Sequence, residues 1–162
     1  MRCLLIKLIQ IILPALMLFG CASQPNKPEV PVPRLTYSEP VLKKLFYEQF
    51  QEWASVRYRN GGLSKTGVDC SGFVYLTYQQ KLGIRLPRSS GHQSQTGFPV
   101  RQNELKAGDL VFFKTEPTQN HVGIYLERRR FMHVSSTKGV AISSLDDRYW
   151  ASKYWKSVRV LG

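Results

Sequence analysis

The order of hydrophobic periods along this chain predicts an α+β fold, with N-terminal helices packed on an antiparallel β-sheet. Residues 41–56 and 70–81 carry apolar side chains at helical spacing. After Asp109 the pattern changes to short β-branched and aromatic runs separated by polar turns. Strands therefore follow strands without intervening helices, which argues against a parallel, doubly wound sheet. The size suits a single domain: 162 residues, 43% of them hydrophobic, suffice for a packed core and exclude wholesale disorder.

The elements follow in order. Leu42, Leu45, Phe46, Phe50, Trp53 and Ala54 mark an amphipathic helix over 41–56. Residues 56–68, with Tyr58, Gly61, Gly62 and Gly67, read as a loop. A second, more apolar helix is predicted over 70–81, with Asp69 as N-cap and Gly83 as its stop. A short third helix is expected at 89–95. Strands are predicted at 109–113, 121–126, 131–135, 140–143 and 158–161.

Upstream, residues 1–20 read as a secretory signal. Arg2 and Lys7 precede an apolar run from Leu8 to Phe19, shorter than the roughly 20 residues that span a bilayer. The run ends Leu18-Phe19-Gly20-Cys21, which resembles the lipobox of bacterial lipoproteins, with Cys21 as the acylated residue. Ala22, in place of Asp, favours the outer membrane by that resemblance, facing the periplasm. Residues 21–40 then read as a tether punctuated by Pro25, Pro28, Pro31, Pro33 and Pro40, with a reach of ~3.1 Å per residue. The folded domain is assigned to 41–162.

Export makes the cysteines informative. Cys3 leaves with the signal and Cys21 is taken by lipid, so Cys70 alone remains as a thiol and no disulfide can form within the mature chain. Cys70 sits at a predicted helix start, where free N–H groups and the helix dipole favour thiolate. Asp69 opposes this as a neighbouring negative charge, and it fits better as a cap than as a catalytic acid. A thiol nucleophile needs a base in reach and a further group that orients the base. Of the three histidines, His92 lies in a polar, surface-like stretch, whereas His121 and His133 sit on neighbouring predicted strands.

Those two rings must share a face. A regular two-residue turn at Arg128-Arg129 pairs Ile124 with His133, which points the imidazoles to opposite faces. Such turns need positive φ and favour Gly or Asn over Arg. The expectation is therefore a loop of odd length or a β-bulge.

Together these residues carry a resemblance. Tyr58-Arg-Asn-Gly61-Gly62, Val68-Asp-Cys-Ser-Gly-Phe73, Leu86-Pro-Arg88, Gly108-Asp-Leu-Val-Phe-Phe113, His121-Val-Gly-Ile-Tyr125 and Phe131-Met-His133 follow the order and spacing of NlpC/P60 cell-wall cysteine peptidases. With the lipobox, the chain resembles the short NlpC-type lipoproteins. The resemblance covers 42–162 and implies a minimal papain-like fold, its nucleophile helix packed on an antiparallel sheet. It implies Cys70 as nucleophile, His121 as base and His133 as the residue orienting it. It also places the Tyr58 hydroxyl near the nucleophile, helping the backbone N–H of Cys70 or Ser71 hold an oxyanion. Asn60 and the Arg-rich turn depart from the family pattern.

The expectation is a lipid-anchored endopeptidase, needing no cofactor, that hydrolyses an amide bond in peptidoglycan stems or cross-bridges. By the resemblance, a D-Glu–diaminopimelate bond within a stem and a D-Ala–diaminopimelate bond across stems are both suitable targets. Rival readings keep the thioester but act as an acyltransferase or amidase, use Cys70, His121 and His133 as zinc ligands, or bind wall without catalysis. Arg88 either meets a substrate carboxylate or forms a structural ion pair. Asp109 is read as a cap or turn residue, Gly123 as a point of close packing, and Trp150, Tyr154 and Trp155 as core or rim aromatics. Partners are peptidoglycan and, through the lipid, a membrane. A net charge of +12 suits both as an encounter effect, no nucleic-acid motif is present, and a monomer is expected.

Overall fold

The computed structural model describes residues 37–116 and 120–162. The signal segment 1–20, Cys21 and nearly all of the tether lie outside the described residues. Helix α1 spans Glu39–Trp53. It begins earlier than its hydrophobic pattern because Pro40, read as tether, occupies the first turn, where a missing N–H and fixed φ cost nothing. A small hairpin follows, β1 (Leu63–Ser64) against β2 (Gly67–Val68). Helix α2 is Cys70–Leu82, with the Asp69 carboxylate accepting from Gly72 N–H at its start. Gly83, at φ 70°, closes it. Helix α3 is only Ser90–Gln93.

The sheet comprises β3 (Phe98–Val100), β4 (Leu110–Lys114), β5 (Asn120–Glu127), β6 (Arg130–Ser135), β7 (Gly139–Ser144) and β8 (Tyr154–Arg159). Their spatial order is β3-β8-β4-β5-β6-β7, with every recorded neighbour antiparallel. A helix α4 (Arg148–Lys153) precedes β8. The small hairpin, β3 and α4 go beyond the sequence reading, and the last strand starts four residues earlier than predicted.

Both faces of the sheet are covered, which explains the unbroken apolar run in β4. Leu110 and Phe112 join Phe46, Phe73, Tyr78, Ile124 and Met132 in the core beneath the helices. Val111 and Phe113 point the other way, into a second cluster with Tyr125, Phe131, Leu145 and the partly buried Trp150 and Tyr154. Asp109 is structural. It accepts from Lys106 N–H at 2.8 Å and pairs with Arg159 at 2.7 Å.

The β5–β6 hairpin resolves the facing problem with a bulge. Glu127 pairs with Arg130 across a two-residue turn, then the register slips so that Tyr125 faces Phe131 and Ile124 faces Met132. Continued along the strands, that slip sets His133 opposite Gly123, two residues from His121, so both rings share one face. The turn itself departs from expectation. Arg128 and Arg129 adopt φ of 47° and 60° although neither is Gly or Asn. Anchors hold the strained backbone: Arg129 N–H donates to the Tyr125 hydroxyl at 3.1 Å, Leu145 N–H donates to Arg129 carbonyl at 2.7 Å, and Arg129 pairs with Asp146.

Candidate active site

The first residue of α2 is Cys70, partly buried at the floor of a cleft of about 710 Å³. The cleft walls come from Tyr58, Ser71, Ser90, His121, Tyr149 and Trp150, among others. Packing of α2 on β5 brings the helix start to the strand that carries His121. The thiol there meets the backbone N–H of Val122, with the N–H groups of Ser71 and Cys70 itself close by.

Burial nevertheless raises the Cys70 thiol above its ordinary value, and Asp69 adds to the rise. Those N–H groups offset it only in part. The resting sulfur is therefore a thiol, not the thiolate that its helix-start position alone suggests.

His121 and His133 meet directly. His121 Nε2 lies 3.0 Å from His133 Nδ1, and His133 Nε2 lies 2.9 Å from Ser143 Oγ. With Nε2 engaged by His133, Nδ1 is the other ring nitrogen of His121, and the ring lines the same cleft as Cys70. The two imidazole nitrogens point at each other instead of at a shared third point, which does not suit them as zinc ligands alongside Cys70. Trp150 backs both rings, its centroid 5.1 Å from His121 and 4.8 Å from His133, and Phe113 and Phe131 complete the wall. In these surroundings burial lowers the His121 pKa to about 4. It also puts His133 well below its ordinary value, helped by His121 and Lys138. Both rings are neutral near pH 7.

Gly123 makes the meeting possible. A Cβ there would lie 2.6 Å from the Phe131 ring, 2.8 Å from Met132 carbonyl and 3.3 Å from His133 Cβ.

Tyr58 bridges to Val68 beside the helix start and lines the same cleft as Cys70. Burial, then Cys70 and Asp69, raise its pKa, so the hydroxyl keeps its proton as a donor. Arg88 forms the ion pair of its two possible roles. Its terminal nitrogens reach Asp69 Oδ1 and Oδ2 at 2.9 and 2.6 Å, Ser71 Oγ at 3.0 Å and Gly62 carbonyl at 3.2 Å. Burial raises the Asp69 carboxyl, but Arg88 and the Gly72 N–H outweigh it and hold the carboxyl below its usual value. The Ser71 hydroxyl is also engaged, donating to Asp69 at 3.1 Å. What Ser71 can offer a substrate is its backbone N–H.

Two supporting residues go beyond the sequence reading. Gln93, fully buried, donates to Ser71 and Pro87 carbonyls at 3.0 and 2.8 Å and so braces the helix start. Ser143 is the other, and no local pattern marks it, whereas Trp150 is the core or rim aromatic expected, packed against the second cluster. His92 is exposed and hydrogen-bonded to Ser89, outside the site. Two carboxylates, Asp69 and Glu116, line the cleft, and no Lys or Arg is among its described lining residues. Among the described residues, the Lys and Arg side chains therefore lie outside this cleft.

Comparison with known proteins places this geometry in a lineage. The chain is 43% identical over 152 residues to a probable endopeptidase NlpC of Escherichia coli, covering 93% of this chain and 97% of that protein. It is 43% identical over 120 residues to the murein DD-endopeptidase MepS/murein LD-carboxypeptidase of the same organism, covering 74% of this chain and 64% of that one. Among solved structures, an NlpC/P60 family protein from Bacillus cereus superposes with a TM-score of 0.68 at 28% identity, covering 80% of this chain and 42% of the other. The fold is thus the α+β papain-like one. A family profile described as NlpC/P60 matches residues 55–159, from just before Tyr58 to the end of β8, so the chain belongs to the NlpC/P60 family.

Proposed function

We propose that this chain is a lipid-anchored cysteine endopeptidase that hydrolyses an amide bond in peptidoglycan stems or cross-bridges. The observation that carries the reading is the His121–His133 hydrogen bond, with His121 lining the same cleft as Cys70. The names of the relatives support the substrate class: one is named a probable endopeptidase, and two are named murein DD-endopeptidases. The signal-like residues 1–20 and the lipobox-like Cys21 support anchoring in the cell envelope, at the outer membrane facing the periplasm.

The chemistry follows from the atoms in place. As the Cys70 sulfur attacks the scissile carbonyl carbon, its proton passes to His121 Nδ1. The oxyanion that forms is held by backbone N–H groups at the helix start and by the Tyr58 hydroxyl. Imidazolium His121 then gives its proton to the leaving amine, the C–N bond breaks and a thioester remains. Water, deprotonated by His121, hydrolyses the thioester and restores the thiol. A cleft of about 710 Å³ is in the range that encloses a short peptide.

Purified wild-type protein should release muropeptides from sacculi, and Cys70→Ala should release none. Mass spectrometry of the products identifies the bond, and uptake of heavy-oxygen water separates hydrolysis from acyl transfer. Equal release by both proteins would reject the mechanism. Lipidation is read separately as an acyl mass increment on the mature N-terminus that Cys21→Ala abolishes.

A further inference from the structure

We propose that Ser143 is a positioning residue of the site, accepting from His133 Nε2–H so that His133 Nδ1 can receive the proton that imidazolium His121 donates. The proposal rests on the hydrolase reading, but its structural half can be tested without it. Ser143 lies on β7, half-buried, behind the imidazole pair and outside the residues that line the cleft. Its Oγ is 2.9 Å from His133 Nε2, while His133 Nδ1 is 3.0 Å from His121 Nε2.

Counting protons along this row leaves two arrangements. In one, His121 Nε2–H donates to His133 Nδ1 and His133 Nε2–H donates to Ser143 Oγ. His121 Nδ1 then carries a lone pair toward the thiol. In the other, every bond is reversed: the Ser143 O–H donates to His133 Nε2, His133 Nδ1–H donates to His121 Nε2, and His121 Nδ1 already bears a proton. Only the first arrangement can take a proton from sulfur.

Once His121 has become imidazolium, both of its nitrogens must donate. The first arrangement is then required, with Ser143 as acceptor at its end. The Ser143 hydroxyl thus has most to contribute when charge appears on the ring, which is the state that governs rate. It plays this part from outside the cleft, as outer hydrogen-bond partners do for metal-bound histidines. His133 is 1% exposed, so solvent cannot readily replace the hydroxyl.

The test compares wild type, Ser143→Ala and Ser143→Thr, each checked for folding by thermal unfolding. Imidazole ¹⁵N shifts followed through an acid titration read where His121 protonates and which nitrogen of His133 then bears its proton, and sacculus or synthetic stem-peptide hydrolysis reads kcat and KM. When His121 is protonated in wild type, His133 should be protonated at Nε2 and bare at Nδ1. Ser143→Ala should move His121 protonation to lower pH and lower kcat by about 10- to 100-fold with KM little changed, and Ser143→Thr should restore both. A His133 protonated at Nδ1 beside protonated His121, or an Ala variant with unchanged His121 titration and kcat within about twofold, overturns the proposal. If wild type digests nothing, the hydrolase reading fails, and the nitrogen shifts still decide the role of Ser143.

Discussion

Replacing Gly123 with Ala isolates what one missing methyl contributes to the site. No positive φ is recorded for Gly123, so the substitution adds volume without backbone strain. The new Cβ would stand 2.6 Å from Phe131 Cδ2 and 2.8 Å from Met132 carbonyl, where ordinary contact is 3.4–4 Å. The aromatic ring is packed against Phe113 and Trp150 and cannot swing away freely, and the carbonyl is sheet backbone. Strands β5 and β6 must therefore part locally by roughly 1 Å, at an overpacking cost of about 1–3 kcal/mol. That separation acts directly on the 3.0 Å bond between His121 and His133. A displacement of this size can lower activity by about 10²-fold. Thermal unfolding should show a melting point lower by roughly 5–15 °C, and hydrolysis should fall mainly in kcat. Gly91, with nothing within 4 Å of its added Cβ, is the stability control and should accept Ala at no cost. A Gly123→Ala variant with wild-type melting and wild-type kcat would refute the argument that strand spacing sets the histidine pair.

Three further outcomes follow from the structure. Arg128→Gly, at an exposed position with φ 47°, should stabilise the protein by about 0.5–1 kcal/mol in urea unfolding, because relief of left-handed strain exceeds the entropy lost with Gly; a loss of stability would count against a strained turn. Tyr58→Phe should lower kcat by about 10- to 100-fold and leave folding intact if the hydroxyl donates to the oxyanion, whereas unchanged kcat would remove it from the mechanism. Acidification should destabilise the fold. Native His121 stays neutral down to about 4, while the unfolded chain takes up that proton near pH 6.5. Stability is therefore complete above about pH 6.5, falls between there and about pH 4, and for His121 alone loses roughly 3 kcal/mol. His133→Asn should flatten the remaining slope, and a pH-independent free energy across that window would show that the rings are not buried neutral.

How far the sequence carried depends on the range of the interaction. Asp69 and Gly83 bracket α2 through bonds to residues three and four away, so both were legible. The apolar runs in β4 to β7 were legible because burial writes a pattern along a strand. Facing of the two histidines reduced to parity, and parity demanded an odd loop or a bulge. Which of them, and at Leu126, depended on Tyr125, Leu145 and Asp146 holding two arginines at positive φ, and no local rule contains that. Short elements escaped for the same reason. Phe98-Pro99-Val100 is an edge strand only because β8 is beside it, and α4 has six residues with none buried. Trp150, Ser143 and Gln93 act across the fold on residues 10–29 positions away, so only three dimensions reveal them.

For the proposed mechanism, burial that raises the thiol and lowers the imidazole looks at first like a poor setting for a nucleophile. Each shift penalises a lone charge: thiolate with neutral His121, or imidazolium with intact thiol. Proton transfer between the two creates both charges together, and their attraction in the same low-dielectric pocket offsets much of what burial costs each alone. The Val122 and Ser71 N–H groups stand ready for the sulfur, and His133 with Ser143 for the ring. Ionisation is then coupled to attack, when the growing oxyanion takes over the negative charge and Tyr58 and the helix start can stabilise it. The dependence of kcat/KM on pH carries the signature. A pre-formed thiolate–imidazolium pair should lose activity on the acid side as the sulfur regains its proton, at the depressed pKa of an activated thiol. A neutral resting pair should lose it as His121 protonates, and a chemically alkylated Cys70, which removes the sulfur's titration, should leave the His121 titration seen by NMR close to 4. A His121 titration near or above 6.5 in that alkylated protein would show that the pocket does not desolvate the ring, and the coupled mechanism would fall with it.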